Sequence, residues 1–349
     1  MRTLLALTLT AAACGGTPAG DDDDRDASPA DSGPVGPDAG VDAPPGPTPV
    51  RFLVLGDTGE GNAAQFAVGV AMKQVCDAHG GCDFALMLGD NIYSDGVSGT
   101  DDPQWQTKFE QPYAPLSIPF YAVLGNHDYG GQLIIDAPGV GNEWHKGPIE
   151  VEYTEVSDKW EMPDTHYTFQ VGNVGVIALD TNSILWDNNM FGDQRAWYPT
   201  ALMEIADADW KFAAGHHPHR SNGQHGNAGN YEAPELFGIP IPNPLPIVGG
   251  GDMERFYDQV VCGTVDLLVT GHDHNRQWLD EPDELCGTEM IVSGAGAKTT
   301  PLQDRGNAVF YEDDTEAGFL FVEVVGKRLT ARFYDQNGAM DFERTLTKP

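Results

Sequence analysis

Aspartate, asparagine and histidine side chains that could bind metal ions are concentrated in five short segments of this chain. The segments read GDTG (56–59), GDNIY (89–93), GNHD (125–128), AAGH (213–216) and GHDH (271–274). Carboxylate, amide and imidazole groups suit borderline to hard divalent or trivalent ions such as iron, zinc and manganese. The candidate ligands are Asp57, Asp90, Tyr93, Asn126, His216, His272 and His274.

These candidates are too many for one ion that also keeps open coordination positions. Two ions that share one bridging carboxylate would use all of them. Two metal ions about 3.5–4 Å apart are common in enzymes that hydrolyse phosphate esters, because they generate a nucleophile and neutralise charge on the phosphoryl group. Each residue alone has a simpler explanation. Asp57 and Asp90 could accept hydrogen bonds from backbone amides in Gly-Asp turns, and Tyr93 could pack in a core.

Each segment follows an apolar run that is typical of a buried β-strand. Ligands of mixed α/β sheets gather outside the carboxyl ends of the strands, so we expect the five segments to lie together. Helical spacing in NAAQFAVGVAMKQVCDAHG predicts a helix that ends near Gly80, and QWQTKFEQPYAPL is helical until its prolines. The run YTFQVGNVGVIALDT indicates a hairpin, and residues 318–346 indicate a series of strands joined by glycine-centred turns.

The five segments resemble, in content and order, the blocks of the calcineurin-like metallophosphoesterases: D-x-G, G-D-x-x-Y, G-N-H-D/E, a histidine after a strand, and G-H-x-H. Within that family, the chain is most similar to the purple acid phosphatases, especially the small tartrate-resistant type. Further likeness runs through YTEVSDKWEMPDTHYTF, ALDTN and VSGAGAK, so that it covers nearly all of residues 50–349. The resemblance implies an α/β (α+β) fold, a four-layer α-β-β-α sandwich of two mixed β-sheets flanked by helices.

Carried over residue by residue, the resemblance implies two adjacent metal sites. The first, which holds ferric iron in purple phosphatases, would use Asp57, Asp90, Tyr93 and His274. The second would hold Fe(II), Zn or Mn through Asn126, His216 and His272, with Asp90 bridging the two ions. Tyr93 is the sharpest discriminator, because other branches of the family commonly have a histidine there. A tyrosine phenolate bound to ferric iron would colour the protein.

The resemblance also implies an activity, the hydrolysis of phosphate monoesters by attack of a metal-bound hydroxide, as in an acid phosphatase. His127 and His225 would assist the leaving alcohol, and Asp90 would act as a catalytic residue through its bridging position. Asn126, His127 and His217 would contact the substrate, with His217 standing where the small phosphatases have tyrosine. Three alternatives remain: a phosphodiesterase on the same metal centre, a non-catalytic surface binding module, and a zinc or manganese site that leaves Tyr93 unligated.

The composition favours a small substrate over a polyanionic partner. The chain of 349 residues has a formal net charge of −34, which disfavours nucleic acids and anionic membrane surfaces. The resemblance implies a small phosphate ester as the partner, and we expect a monomer. Association with a membrane would occur only through a lipid anchor.

The first residues predict export. Residues 1–14, MRTLLALTLTAAAC, have the pattern of a signal peptide. Cys14 after three alanines resembles the lipidation site of a bacterial lipoprotein, and an ordinary cleaved signal is the alternative. Residues 15–49 have the composition of a disordered linker, so the metallophosphoesterase domain would span residues 50–349. We expect a bacterial cell-envelope protein, anchored in the periplasm or at the cell surface, or a secreted one.

Four cysteines remain after Cys14, and an even number in an exported protein predicts two disulfides. Three pairings are possible. The pairing that is local in sequence joins Cys76 to Cys82 and Cys262 to Cys286. A zinc site of four thiolates is the alternative, but the sequence lacks the paired C-x-x-C spacing for it.

Overall fold

A computed structural model describes residues 47–132, 138–231, 235–236, 239–240, 249–280, 286–303 and 305–349. These residues all belong to one unit, Gly46–Pro349. The predicted signal peptide with Cys14, and residues 15–46 of the predicted linker, lie outside the described residues.

Two seven-stranded sheets form the centre of this unit. The described strands are β1 (Val50–Leu55), β2 (Phe84–Leu88), β3 (Phe120–Val123), β4 (Trp160–Glu161), β5 (Tyr167–Val171), β6 (Val174–Ala178), β7 (Trp210–Ala214), β8 (Glu235–Leu236), β9 (Ile239–Pro240), β10 (Leu267–Thr270), β11 (Arg276–Leu279), β12 (Glu289–Ser293), β13 (Val309–Asp313), β14 (Gly318–Val325), β15 (Arg328–Asp335) and β16 (Met340–Thr347).

Both sheets are mixed. The first has the order β16-β15-β14-β1-β2-β3-β4, in which β1 to β4 are parallel and β14 to β16 form an antiparallel meander. The second has the order β13-β11-β12-β10-β7-β6-β5, with a parallel centre of β6, β7, β10 and β12. Strands β5 and β6 form the predicted hairpin around the Gly-Asn turn. Strands β8 and β9 pair only with each other.

Helices cover the outer faces of the sheets. The described α-helices are α1 (Ala63–Ala78), α2 (Gly147–Glu152), α3 (Thr181–Leu185), α4 (Gln194–Glu204) and α5 (Gly251–Phe256). Two π-helical segments (Gln106–Glu110 and Tyr257–Val261) and one 3-10 turn (Tyr153–Glu155) complete the set. The predicted helix in QWQTKFEQPYAPL is this first π-helical segment, which stops before Pro112 because proline lacks the N–H that would continue it.

The side chains of the second sheet alternate between two hydrophobic cores, as the period of a β-strand requires. In β7, Phe212 faces the first sheet, with its ring centroid 5.4 Å from that of Phe52. The neighbouring Ala213 faces the opposite way and packs with residues of α4 and α5. On the far side of the first sheet, Val68 and Met72 of α1 are buried in the same core as β1. The order is therefore helix, sheet, sheet, helix, and the predicted four-layer fold is confirmed.

The sequence-local cysteine pairing is confirmed, since disulfides join Cys76 to Cys82 and Cys262 to Cys286. The first bond links the last turn of α1 to the segment before β2. The second links Cys262, which directly follows the π-helical segment 257–261, to the segment before β12. Because all four sulfurs are in disulfides, the alternative of a four-thiolate zinc site is excluded. Among the described residues, no helix is both long enough and apolar enough to cross a membrane.

Asp180, just after β6, is a buried carboxyl that fixes the start of α3. Its Oδ1 accepts the N–H of Ser183 at 3.0 Å, and its Oδ2 accepts the hydroxyl of Tyr129 at 2.6 Å. Burial raises the pKa of Asp180 to about 6, although the hydrogen bonds from Tyr129 and Ser183 oppose that rise. The protonated form is therefore favoured more strongly in the folded chain than in the unfolded one.

We expect this carboxyl to make stability depend on pH in a definite direction. Its contribution is fully present below the unfolded pKa, near 4, and is lost as the pH rises through about 6. In Asp180→Asn the side chain cannot ionise. The free energy of unfolding of this variant, relative to that of the wild type, should therefore rise by roughly 2–3 kcal/mol between pH 4 and pH 7. Denaturant unfolding at both pH values measures this, with Asp101→Asn at an exposed turn as the control. An unfolding difference that does not change with pH would contradict the assignment.

Candidate active site

The carboxyl ends of strands from both sheets meet at the candidate site. Strands β1, β2 and β3 of the first sheet lead into Asp57, Asp90 and Asn126, and β7 and β10 of the second lead into His216 and His272. The sheets are joined here, because the N–H of Gly56 donates to the Ser293 carbonyl at 2.7 Å. The expectation that the five segments lie together is therefore correct, and they reach the site from two sheets rather than from one.

Three of the predicted ligands have an unusual backbone conformation. Asp57, Asp90 and His272 have φ of 58°, 52° and 68°, and Asp187 is the only other described non-glycine residue with positive φ. This left-handed region costs an ordinary residue roughly 1–2 kcal/mol. Each of the three follows a glycine, and a Cβ on Gly271 would lie 2.6 Å from an Asp57 carboxylate oxygen. Strain of this kind, at three positions that converge, is typical of a functional site.

Asp57, Tyr93 and His274 form the first donor group. The Tyr93 hydroxyl donates to Oδ1 of Asp57 at 2.9 Å and lies 3.1 Å from Nε2 of His274. Nε2 of His274 is 3.4 Å from the same Asp57 oxygen. Asp57, Asp90 and His274 each place a donor atom within 4.8 Å of the others, a spacing that fits one metal ion.

Asn126, His216 and His272 form the second donor group. Nε2 of His216 lies 3.0 Å from Oδ1 of Asn126 and 3.1 Å from Nδ1 of His272. Nδ1 of His216 donates to the Leu88 carbonyl at 2.8 Å, because a carbonyl oxygen only accepts. Metal-binding histidines usually hold their second nitrogen in this way.

The second donor group fits a cation because its lone pairs point at one another. Nδ2 of Asn126 donates to the Gly139 carbonyl at 2.8 Å, so Oδ1 is left as an acceptor that faces Nε2 of His216. Donor atoms about 2.1 Å from an ion and at right angles to each other lie about 3 Å apart. Without a metal ion, a proton on Nε2 of His216 would lie between these facing lone pairs instead. Burial disfavours this proton, but Asp90 and Asp57 outweigh burial and raise the pKa of His216 to about 9.

Asp90 lies between the two donor groups. Its Oδ1 is 3.4 Å from Nε2 of His216 and accepts the backbone N–H of His127 at 2.9 Å. Burial would raise the pKa of Asp90, but the charges of His216 and His127 prevail and hold it well below its usual range. A carboxylate in this position is suited to bridge two ions, the role that the resemblance implies for it.

The two donor groups differ in charge. The first brings together Asp57 and the Tyr93 hydroxyl, and burial together with the charges of Asp57 and Asp90 raises the pKa of Tyr93 well above its usual range. The second contributes an amide and two imidazoles, which are neutral when they bind a metal ion, and burial together with neighbouring histidines lowers the pKa of His272 far below its ordinary value. The first group therefore needs the greater compensating positive charge.

The other predicted site histidines surround these groups. Nδ1 of His127 donates to the Ser94 carbonyl at 2.6 Å, which leaves its Nε2 available, and the residue is partly exposed. The ring of His225 stacks on that of His272 with centroids 4.0 Å apart. His217 is buried, with its ring 4.5 Å from that of His272 and Nδ1 2.9 Å from the Thr181 hydroxyl. Substrate contact by His217 stays a prediction.

Two buried aspartates inside the motifs have supporting roles that the sequence did not reveal. Asp128, the last residue of GNHD, accepts the backbone N–H groups of Asn91, Ile92 and Gly125 at 2.7, 3.0 and 2.8 Å. Asp273, inside GHDH, accepts the N–H of His225 at 2.7 Å. Each fixes a loop that carries a candidate site residue. The only available signal was an acidic residue beside a predicted ligand.

A second group of possible donor atoms does not form a metal site. His219 lies beside Cys262 and Cys286, but these sulfurs are joined in a disulfide. Nε2 of His219 instead lies 3.0 Å from the Asp258 carboxylate.

Comparisons with known proteins agree with this geometry. Residues 50–276 match the calcineurin-like phosphoesterase family. The chain is 26% identical to tartrate-resistant acid phosphatase type 5 of the rabbit, Oryctolagus cuniculus, over 87% of this chain and 93% of that protein. It is 28% identical to purple acid phosphatase 3 of Arabidopsis thaliana, over 83% of this chain and 75% of that protein.

Among solved structures, the chain is similar to GAP50, the anchor in the inner membrane complex of Plasmodium. The TM-score is 0.59 at 21% identity, over 86% of this chain and 89% of that one. This likeness supports the fold alone. The family match spans more than half of the sequence, so the chain belongs to the calcineurin-like phosphoesterase family and is a phosphoric ester hydrolase.

Proposed function

We propose that this protein is a dinuclear-metal acid phosphatase that hydrolyses phosphate monoesters. The observation that carries the proposal is the convergence of the two donor groups on either side of Asp90, with donor atoms about 3 Å apart. The similarity to tartrate-resistant and purple acid phosphatases supports the substrate class.

The first donor group, with Asp90, would hold ferric iron, and the second, with Asp90, would hold Fe(II), Zn or Mn. The charge difference between the groups supports this division, because phenolate and carboxylate oxygens are hard anionic ligands that suit a trivalent ion. Bound there, the two ions would supply a nucleophile near neutral pH and positive charge against the phosphoryl oxygens.

The side chains of the protein would orient the substrate and move protons. The Ser94 carbonyl fixes the His127 ring, so that Nε2 is the nitrogen that can donate a proton to the leaving oxygen. The Asp273 carboxylate fixes the backbone at His225, the second candidate proton donor. The Gly139 carbonyl holds the Asn126 amide so that Oδ1 points toward His216.

The proposal extends to the location of the protein. The two disulfides support export, because such bonds persist in oxidising compartments. We further propose that Cys14 carries a lipid that anchors the protein to the bacterial envelope, with residues 15–49 as a tether, and that the domain acts as a monomer on a small phosphate ester.

Two other functions fit parts of the observations. A phosphodiesterase would use the same donor groups, and the loops around them would set the preference. A non-catalytic binding module is the second alternative, since GAP50, of similar fold, is described as an anchor. The complete donor set favours catalysis, because a binding surface does not require seven converging ligands.

One prediction of the proposed function concerns substrate preference. The purified protein should hydrolyse nitrophenyl phosphate faster than bis-nitrophenyl phosphate, with an acidic optimum, when both are measured from acid to alkaline pH. Faster turnover of the diester near neutral pH would identify a phosphodiesterase. Absence of turnover of either ester after metals are restored would favour the binding module.

Another prediction of the proposed function concerns the two candidate proton donors. His127→Ala and His225→Ala should each lower kcat by roughly 10²–10⁴-fold on an alkyl monoester such as glycerol phosphate. The loss should be smaller on nitrophenyl phosphate, because nitrophenolate leaves without a proton. Metal content should be unchanged in both variants, and His145→Ala, at an exposed position, serves as the control. Equal losses on both substrates would indicate a role in binding rather than in proton transfer.

A further inference from the structure

The segment 294–298, which follows β12, is held tightly against the end of β1. The N–H of Gly296 donates to the Gly56 carbonyl at 3.0 Å, and Nδ2 of Asn62 donates to the Ala297 carbonyl at 3.0 Å. A Cβ on Gly294 would lie 2.8 Å from an Asp57 carboxylate oxygen, and one on Gly296 would lie 2.5 Å from the Gly56 carbonyl oxygen. Neighbouring atoms lie so close at these two places that only glycine fits. Because of this close packing, the backbone that carries Lys298 has little freedom to move.

Lys298 places its ammonium group on the ring of Tyr93. The Nζ atom lies 3.3 Å from the centroid of that ring, well inside the range of a cation–π contact. Nζ also forms an ion pair of 2.6 Å with Oε1 of Glu60, in the loop that follows Asp57. The lysine is thus fixed from both ends, by the glycine-rich segment behind it and by Glu60 at its tip.

The surroundings of Tyr93 make this positive charge consequential. Its hydroxyl faces the carboxylate of Asp57, and Asp90 lies close by. Lys108 donates a hydrogen bond to the backbone carbonyl of Tyr93 rather than to its ring. Among the described residues, Lys298 is the only lysine or arginine seated on the ring itself.

We infer that Lys298 is a positioning residue for Tyr93. The fixed positive charge of Lys298 would set the energy of the phenolate electrons that Tyr93 offers to an ion in the first donor group. The inference rests on the proposed function in one respect, the binding of ferric iron by Tyr93. A positive charge near the ring lowers the energy of the ring electrons more than that of the more distant iron orbitals. It therefore raises the energy of the charge-transfer transition from phenolate to iron.

The experiment compares the visible absorption and the phenolate resonance Raman bands of the ferric-loaded holoprotein with those of three variants. In Lys298→Met the charge-transfer band should move to longer wavelength, because the stabilising charge is lost. Lys298→Arg keeps the charge and should keep the band near its wild-type position. Lys327→Met removes a lysine that is paired with Asp209 on the exposed surface, and it should leave the band unchanged.

Three results would overturn the inference. They are an unmoved band in Lys298→Met, an equal shift in Lys298→Arg, which would indicate packing rather than charge, and no phenolate band in the ferric-loaded wild type. Nitrophenyl phosphate hydrolysis by the same preparations separates this inference from the proposed function. Activity without a phenolate band would leave the phosphatase standing and remove the role of Lys298. A band that shifts as expected without any activity would support the role of Lys298 and count against the phosphatase.

Discussion

The backbone N–H of His272 donates a hydrogen bond of 2.8 Å to the Asp57 carboxylate, and the arrangement of the candidate site depends on this contact. Asp57 follows the first sheet and His272 follows the second. The contact therefore ties the carboxyl ends of the two sheets together at the place where the two donor groups lie. The same carboxylate accepts the Tyr93 hydroxyl through its other oxygen, so one residue belongs to both the scaffold and the proposed set of metal ligands.

The cost of this arrangement is electrostatic. Asp57 and Asp90 are almost completely buried, and a buried carboxylate is destabilising unless a positive charge or several hydrogen bonds compensate it. Backbone N–H groups and His216 provide part of this compensation in the protein alone. Metal ions would provide the rest, so metal binding should stabilise the folded chain as well as create the chemistry. The left-handed backbone at Asp57, Asp90 and His272 is a further local cost. The surrounding strands hold these residues in that conformation.

Local sequence predicted those features that depend on local interactions. The helical spacing before Gly80 predicted α1, which runs from Ala63 to Ala78 and so ends just before that glycine. The pairing of Cys76 with Cys82 follows from their short separation. The ligand candidates could be found because each stands directly after an apolar strand.

Contacts between distant segments could not be derived in this way. Nothing in the sequence indicates that the Asp273 carboxylate holds the backbone of His225, or that Lys298 lies on the ring of Tyr93, because these contacts exist only after the sheets have packed. Nor did the sequence show which of the five segments belongs to which sheet, since the strands before them have the same apolar pattern.

The proposed function requires two ions side by side with Asp90 between them. The most direct measurement is anomalous X-ray scattering from crystals of the holoprotein, recorded at the absorption edges of iron, zinc and manganese. We expect two peaks about 3.5–4 Å apart, one beside Tyr93 and His274 and the other beside Asn126 and His216, with the Asp90 carboxylate in contact with both. A single peak, or two peaks without Asp90 between them, would contradict it.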